Sequence, residues 1–276
     1  MDRKLLFFDI DGTLLAGGIP GYIPESAIRG LKQAQENGHL LFINSGRTCS
    51  FMPEAIQSFP FDGYICGCGT EVIFRGKSLF HNKLPDSVRH GLKDILRQFR
   101  MHGAFEGHSA CFFDDRSALI PPLKGIRDTY ASSRTPGAVR NFDDPDMDFD
   151  KFVAFSDADS DFDGFLKAVG NDFVCVQREP MGDYHFNELI PKNCSKATGI
   201  DFIVDYLGAS LDDCYVFGDS SNDLSMLRHV KHSIAMGNSY PGVMEETSYV
   251  TTRVDRDGIY LALKHVHLIG CTAAPI

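Results

Sequence analysis

The sequence predicts an α/β protein: a Rossmann-like parallel-sheet core into which a second, α+β unit is inserted. Three observations carry that reading. Apolar runs over residues 4–8 and 214–217 both stop abruptly at carboxylates, Asp9 and Asp11 in one case, Asp219 and Asp223 in the other. Apolar strands alternate with helix-patterned segments in the first and last parts of the chain, the rhythm of a parallel sheet joined by right-handed crossovers. At Leu84 this rhythm gives way to a block that reads as an antiparallel sheet with helices. The expected division is a core of residues 1–83 and 188–276 and an insert of residues 84–187.

Four of the five residues of the first strand, Lys4-Leu5-Leu6-Phe7-Phe8, are apolar, in one run without alternation, as a strand covered on both faces should be. Asp9 and Asp11 leave extended backbone on the same side, and Gly12 lets the chain turn. Two converging carboxylates repel unless a cation lies between them or one is protonated. Mg²⁺ is the hard cation suited to sparse oxygen ligands and phosphate. Turn chemistry alone would also account for Asp and Gly here. Residues 14–22, with Gly17, Gly18, Pro20 and Gly21, read as a mobile loop able to cover the aspartates. A helix runs from Pro24 to about Asn37, with Ile28, Leu31 and Ala34 at helical spacing and Asn37-Gly38 as its stop.

A second apolar strand, residues 39–44, ends in Ser45-Gly46-Arg47, and Thr48 leads into a helix. A hydroxyl at a strand end beside free helix amides makes an anion site, although Ser45 taken alone reads as a cap. Residues 62–66 form a third strand, and residues 71–80 a hairpin turning at Arg75-Gly76-Lys77. The insert begins with an amphipathic helix over residues 85–99. Strands at 110–113 and 117–120, a helical stretch at 123–131 and a Pro/Gly/Asp-rich segment at 135–148 follow. A strand at 152–155, a short helix at 162–169 and strands at 173–177 and 184–189 complete it.

Ser195 then caps a helix running to about Leu207, with Lys196 in its first turn. The helix dipole disfavours a cation at that end, so a negative group should offset it. Lys192 is a weaker candidate for the same role. The strand at 214–217 leaves through Gly218, and Asp219 and Asp223, four apart, lie near the first turn of the next helix, where a capping role would suit acids. Residues 233–237 and 249–251 continue the alternation, and Asp257-Gly258 opens a last helix.

The 276 residues carry a net charge of −10, which argues against a nucleic-acid or anionic-membrane surface. No apolar run approaches the length of a membrane span, and the first residues do not read as a signal peptide. The eight cysteines are scattered and read as reduced thiols of a cytoplasmic protein. Cys66-Gly67-Cys68 is the only close pair, and no second pair or histidine cluster in the sequence completes a metal site.

Asp9-Ile10-Asp11-Gly12-Thr13, the strand end at Ser45, Lys196 and Gly218-Asp219-Ser220-Ser221-Asn222-Asp223 occur in that order, each where a strand gives way to a helix or loop. The set resembles the four motifs of the haloacid dehalogenase (HAD) superfamily. The late insertion resembles the type IIB cap of its Cof-type phosphatases. Ala197, where the family usually has Gly, and Gly67-Cys68-Gly69-Thr70, where it has Asn-Gly-Ala, are departures.

The resemblance implies a HAD-like core and a set of roles. Asp9 is the nucleophile that forms an aspartyl-phosphate, and Asp11 the general acid and then the base. Asp9, the backbone carbonyl of Asp11, and Asp219 hold Mg²⁺. Ser45, Gly46, Lys196 and Asn222 bind phosphoryl oxygens, and Asp223 orients Lys196 or a metal-bound water. The implied activity is Mg²⁺-dependent hydrolysis of a small phosphorylated metabolite, a sugar phosphate or similar, by a monomer or small homo-oligomer. Arg178 and His185 of the insert are candidates to face the leaving group. Two other readings compete. A phosphosugar mutase usually carries its cap between the first and second motifs. A non-catalytic phosphate- or metal-binding regulator would have no need of the complete set.

Overall fold

The computed structural model describes residues 2–18, 21–116, 118–132 and 137–270. The first part of the chain forms β1 (Leu5–Phe8), α1 (Glu25–Glu36), β2 (Leu40–Asn44), α2 (Glu54–Gln57), β3 (Gly63–Cys66), β4 (Glu71–Phe74) and β5 (Lys77–His81). The middle forms α3 (Asp86–Gln98), β6 (His102–Glu106), β7 (Cys111–Phe113), α4 (Pro121–Ala131), β8 (Val139–Asn141), β9 (Lys151–Ser156), α5 (Phe162–Val169), β10 (Phe173–Gln177) and β11 (His185–Pro191). The last part forms α6 (Lys196–Leu207), β12 (Cys214–Gly218), α7 (Leu224–His229), β13 (His232–Ala235), α8 (Pro241–Met244), β14 (Tyr249–Val250) and α9 (Gly258–His265).

Two sheets result. The larger has the order β14-β13-β12-β1-β2-β3-β4-β5, and the smaller β10-β11-β9-β6-β7-β8. In the larger sheet β1 lies between β12 and β2 and is parallel to both. Leu6 and Phe8 pack with Leu31 of α1 and Leu263 of α9 on one face. Leu5 and Phe7 pack with Ile200 and Ile203 of α6 on the other. This two-sided cover is why the run shows no polar alternation. The β4–β5 hairpin closes one edge antiparallel.

The smaller sheet also has two covered faces. Phe105, Phe112 and Phe152 pack with Leu92 and Leu96 of α3 and Phe165 of α5. Ala104, Val153 and Phe155 pack with Leu123 and Tyr130 of α4. On that second face the register sets Glu106 opposite Lys151 and Glu188 opposite Val153. Three charged side chains therefore lie together on the face that also touches the larger sheet, where Tyr130 stacks on Phe51 at 4.2 Å.

Some expected elements differ. Residues 118–120 are not a strand, and Ser117 lies outside the described residues. Pro121 and Pro122 follow, so Ile120 is held extended as the N-cap of α4 instead of pairing. β6 and β8 were not anticipated, because His102-Gly103-Ala104 lacks strand-forming residues and β8 is short and mostly polar. After Thr48 there is only a three-residue 3₁₀ turn, Cys49–Phe51, before Pro53 opens α2. The last strand of the smaller sheet runs on to Pro191, past the expected boundary at 188. Ile19 and Pro20 of the expected loop, and Thr135 and Pro136, lie outside the described residues.

The fully buried Phe105 stacks on Phe142 and Phe149, both at 4.4 Å. Phe105→Ala should cost about 3–5 kcal/mol through a cavity that the sheet cannot close. A urea titration followed by fluorescence or circular dichroism should show a lowered midpoint for the smaller-sheet transition; an unchanged midpoint would contradict this packing.

Candidate active site

The parallel register gathers the chemistry at one edge. Phe8 is level with Phe217 on one side and Ile43 on the other. Asp9 therefore leaves β1 beside the exits of β12 and β2, which lead to Asp219 and Ser45. Carboxyl ends of parallel strands are where ligands bind in open α/β sheets.

Lys196 opens α6 behind a capping box made by Ser195 and Thr198. Its side chain is fully buried, and its Nζ donates to Asp9 Oδ1 and Asp223 Oδ1, both at 2.5 Å. These carboxylates supply the negative charge that a cation at a helix N-terminus needs. The other oxygen of Asp223 accepts from the amides of Asp219 at 2.9 Å and Ser220 at 3.0 Å. Asp223 is thus fixed through both oxygens, and it fixes Lys196. Lys192 is exposed.

Asp219 accepts from the buried Thr13 hydroxyl at 2.8 Å. Gly12 adopts φ +82°, and a Cβ there would lie 2.3 Å from Asp219 Oδ2. Glycine is required at that turn by both the backbone conformation and the close approach of the acid. Asn238 steadies the turn by donating to the Gly12 carbonyl at 2.8 Å.

Asp11 is placed differently from Asp9. Its half-exposed carboxylate is gripped through both oxygens by Arg47, at 2.6 and 2.7 Å. The guanidinium lies 4.4 Å above the Phe51 ring. Burial works against the Arg47 charge, but the Asp11 bonds outweigh it and raise its pKa. Asp11 is thus held by Arg47 and does not belong to the Asp9, Asp219 and Asp223 cluster. Sequence reasoning did not single out Arg47, although it directly follows Ser45-Gly46.

Ser45 is buried, and its hydroxyl accepts from the Arg47 amide at 3.2 Å. Gly46 lies against the smaller sheet: a Cβ there would be 2.9 Å from Glu188 Oε1 and 3.0 Å from Asn222 Nδ2. Asn222 accepts from Ser220 at 3.0 Å and reaches Glu188 at 3.4 Å. Glu188 in turn binds Lys151 at 2.8 Å, and Lys151 also binds Glu106. Arg178 extends from the end of β10 to Ser220 at 3.4 Å and to Glu188 at 3.7 Å. Its Nε and one terminal nitrogen are buried with no hydrogen-bond acceptor. His185 is exposed. Lys151 and Glu188 escaped sequence reasoning; the available signal was a charge within each of two largely buried strands.

The electrostatics follow from crowding. Asp9, Asp219 and Asp223 bring carboxylate oxygens within 4.8 Å of one another, with a single ammonium among them. Burial, and then the Asp223 charge, push Asp9 up to about 7. Burial and the Asp223 and Asp9 charges push Asp219 up to about 8. Burial works against the Lys196 charge, but Asp223 and Asp9 outweigh it and keep it protonated. Burial alone would raise Glu188, but Lys151 and Arg178 outweigh it and hold it down at about 2. Buried carboxylates short of positive charge, all donors being oxygen, suit a hard divalent cation. Asp9 and Asp219 could hold one; both oxygens of Asp223 are already engaged.

A family model for haloacid dehalogenase-like hydrolases matches residues 6–263. Among curated proteins, YkrA of Bacillus subtilis, classed by name with phosphatases, is 30% identical over 98% of this chain and 100% of its own. YitU of the same species, a 5-amino-6-(5-phospho-D-ribitylamino)uracil phosphatase, is 24% identical over 94% of this chain and 96% of its own. Among solved structures, the phosphatase BT1666 of Bacteroides thetaiotaomicron superposes with a TM-score of 0.81 at 26% identity, covering 96% of each chain. The HAD subclass IIB sugar phosphatase BT4131 gives 0.80 at 25% identity, over 96% of this chain and all of that one. The chain belongs to the HAD superfamily, as a phosphatase of the Cof type. No helix among the described residues is long and apolar enough to cross a membrane.

Raised carboxylates make metal affinity and stability depend on pH. In the metal-free protein Asp9 and Asp219 keep protons up to about 7 and 8, whereas unfolded carboxylates release them near 4. The folded state then binds more protons, so these two groups lose stability as pH rises through that window. A divalent cation must displace those protons, so its stabilising effect should grow from about pH 5 to about pH 8. Thermal midpoints measured with Mg²⁺ and with chelator across that range check this; a constant difference would contradict it.

Proposed function

We propose that this chain is a Mg²⁺-dependent phosphatase of small phosphomonoesters, sugar phosphates foremost, working through an aspartyl-phosphate on Asp9. The observation that carries the reading is the Lys196 ammonium held between Asp9 and Asp223, with Asp219 alongside. It offers a nucleophile, a fixed cation for phosphoryl oxygens and a place for a metal within one buried cluster. Magnesium is favoured over softer ions because the cluster provides only oxygen ligands. Seven unpaired cysteines among the described residues suit a reducing, cytoplasmic setting.

In this reading an Asp9 oxygen attacks phosphorus while the bond to the leaving alcohol oxygen breaks, and Asp11 gives that oxygen its proton. Water then attacks the aspartyl-phosphate, Asp11 takes its proton, and phosphate leaves with Asp9 restored. Lys196, the Ser45 hydroxyl, the Gly46 amide and the Asn222 amide group bind the phosphoryl oxygens as charge builds on them. A metal held by Asp9, Asp219 and the Asp11 carbonyl would neutralise charge between the anionic nucleophile and the anionic ester. Arg47 holds the Asp11 carboxylate through both oxygens. An entering phosphate competes for that guanidinium, and its release frees the Asp11 carboxyl to face the leaving oxygen.

Residues 84–187 act in this reading as a cap that selects the leaving group. Arg178, Glu188 and Lys151 give the cap side both donors and acceptors, which fits a hydroxyl-bearing leaving group. Two buried Arg178 nitrogens, paired with Glu179 and Glu188 at 3.8 and 3.7 Å, have no hydrogen-bond acceptor and could donate to a bound leaving group. The names of the relatives span sugar and ribitylaminouracil phosphates.

Phosphate release should be measured from a panel of sugar phosphates, nucleotides and pyridoxal phosphate, with Mg²⁺ and with chelator. The reading predicts metal-dependent release that falls by roughly 10³-fold or more in Asp9→Asn. Undiminished release by that variant would overturn it. On the best substrate, Arg178→Ala should raise KM by roughly 10- to 100-fold through the loss of charged hydrogen bonds; an unchanged KM would remove Arg178 from the specificity wall.

A further inference from the structure

A second cluster of ligating side chains shares no residue with the first. The Sγ of Cys49 lies 3.1 Å from Glu71 Oε2, and the same oxygen lies 2.7 Å from His108 Nδ1. The donor atoms of these three residues all fall within 4.8 Å of one another. Cys66 lies next to Cys49: its Sγ is 2.9 Å from that of Cys49, and its backbone stands directly opposite Glu71 across the β3–β4 ladder. Both cysteines are free thiols. The sequence offered Cys66 only Cys68 as a partner, whereas Cys68 points to Glu188 instead.

Glu71 supplies a separate observation. It is only 2% exposed, yet among the described residues no lysine or arginine forms an ion pair with it. Its partners are the Ser78 hydroxyl at 3.1 Å, the Cys49 thiol and the His108 ring. A buried carboxylate without a permanent countercharge is costly, and this one is aimed at a thiol and an imidazole. His108 is about half exposed, at 54%, which gives an ion a way in from solvent. The neighbouring imidazole, His81, is already bound to Asp150 at 2.6 Å and is not free to join.

We propose that Cys49, Cys66, Glu71 and His108 form a binding site for a soft or borderline divalent metal ion of the Zn²⁺ kind. Two thiolates, one imidazole nitrogen and one carboxylate oxygen make a four-donor set of the type zinc takes in tetrahedral sites. Mg²⁺ is disfavoured here because two of the four donors are sulfur. On binding, both thiols give up their protons to solvent, and the ion takes the place of the missing countercharge on Glu71. The ligands come from the 3₁₀ turn after β2, from β3, from β4 and from the β6–β7 loop. The ion would therefore join the larger sheet to the smaller one, beside the existing Ser50 hydroxyl bond to the Gly107 carbonyl at 2.8 Å.

The test uses reduced full-length protein with excess Mg²⁺ and titrates in Co²⁺ as a spectroscopic stand-in. We expect a thiolate-to-cobalt charge-transfer band that saturates at one ion per chain and is bleached by Zn²⁺. Cys49→Ser and Cys66→Ser should each cut the band about in half, and His108→Ala, at a half-exposed position, should weaken binding at least about tenfold. Zn²⁺ should also raise the thermal midpoint of the wild type and not that of His108→Ala. Absence of the band, a band untouched by both cysteine changes, or a Cys49–Cys66 disulfide found by mass spectrometry in anaerobically prepared protein would overturn the proposal. None of these readouts depends on phosphatase activity.

Discussion

The structure turns on one buried ammonium. Lys196 is fully buried and sits where a helix dipole repels it, so its charge depends on Asp9 and Asp223, which bracket it. That need couples three otherwise separate pieces: the exit of β1, the first turn of α6 and the turn after β12. Each is held by other means too. The Ser195 capping box fixes the start of α6. Asp223 is tied to two backbone amides of its own turn. β1 is locked in parallel register with both neighbours. With three carboxylates and one ammonium, the cluster keeps an excess of negative charge that protons or a divalent cation could relieve.

The two aspartates of the first motif are two residues apart and live in different environments. Asp9 is buried, with its pKa raised by desolvation and by Asp223. Asp11 is half exposed and clamped by Arg47. Separate environments are how two neighbouring carboxylates come to differ in chemistry. The smaller sheet contributes the same logic in reverse. Its buried Lys151 and the nearby Arg178 hold Glu188 ionised against the desolvation that would otherwise neutralise it. A set charge beside Gly46 and Asn222 can therefore persist near the site without a metal.

The core was legible in the sequence because its strands are covered on both faces: β1 and β12 appear as unbroken apolar runs that stop at acids. Lys196 was legible from its conflict with the helix dipole, which demanded the partners that Asp9 and Asp223 provide. The insert was harder to read. β6 owes its existence to pairing with β7 and β9; a Cβ on Gly103 would meet the Val153 carbonyl at 2.9 Å, so its weak local propensity reflects close packing. Residues 118–120 misled because their apolar character serves contact with the α4 side of the sheet, while the prolines beyond forbid pairing. Long-range pairs such as Arg47 with Asp11, Glu188 with Lys151 and His108 with Glu71 leave no periodic trace. They arise from strand register and from contact between the two sheets.

The measurement that bears most directly on this account is chemical trapping of the covalent intermediate. Wild-type protein with Mg²⁺ and its best phosphomonoester would be quenched during turnover and reduced with borohydride, which converts an aspartyl-phosphate to homoserine. Peptide mass spectrometry then reads which residue carries the change. The account predicts homoserine at residue 9, dependent on both substrate and metal. Turnover with Asp9 unmodified, or with the change at another aspartate, would contradict it.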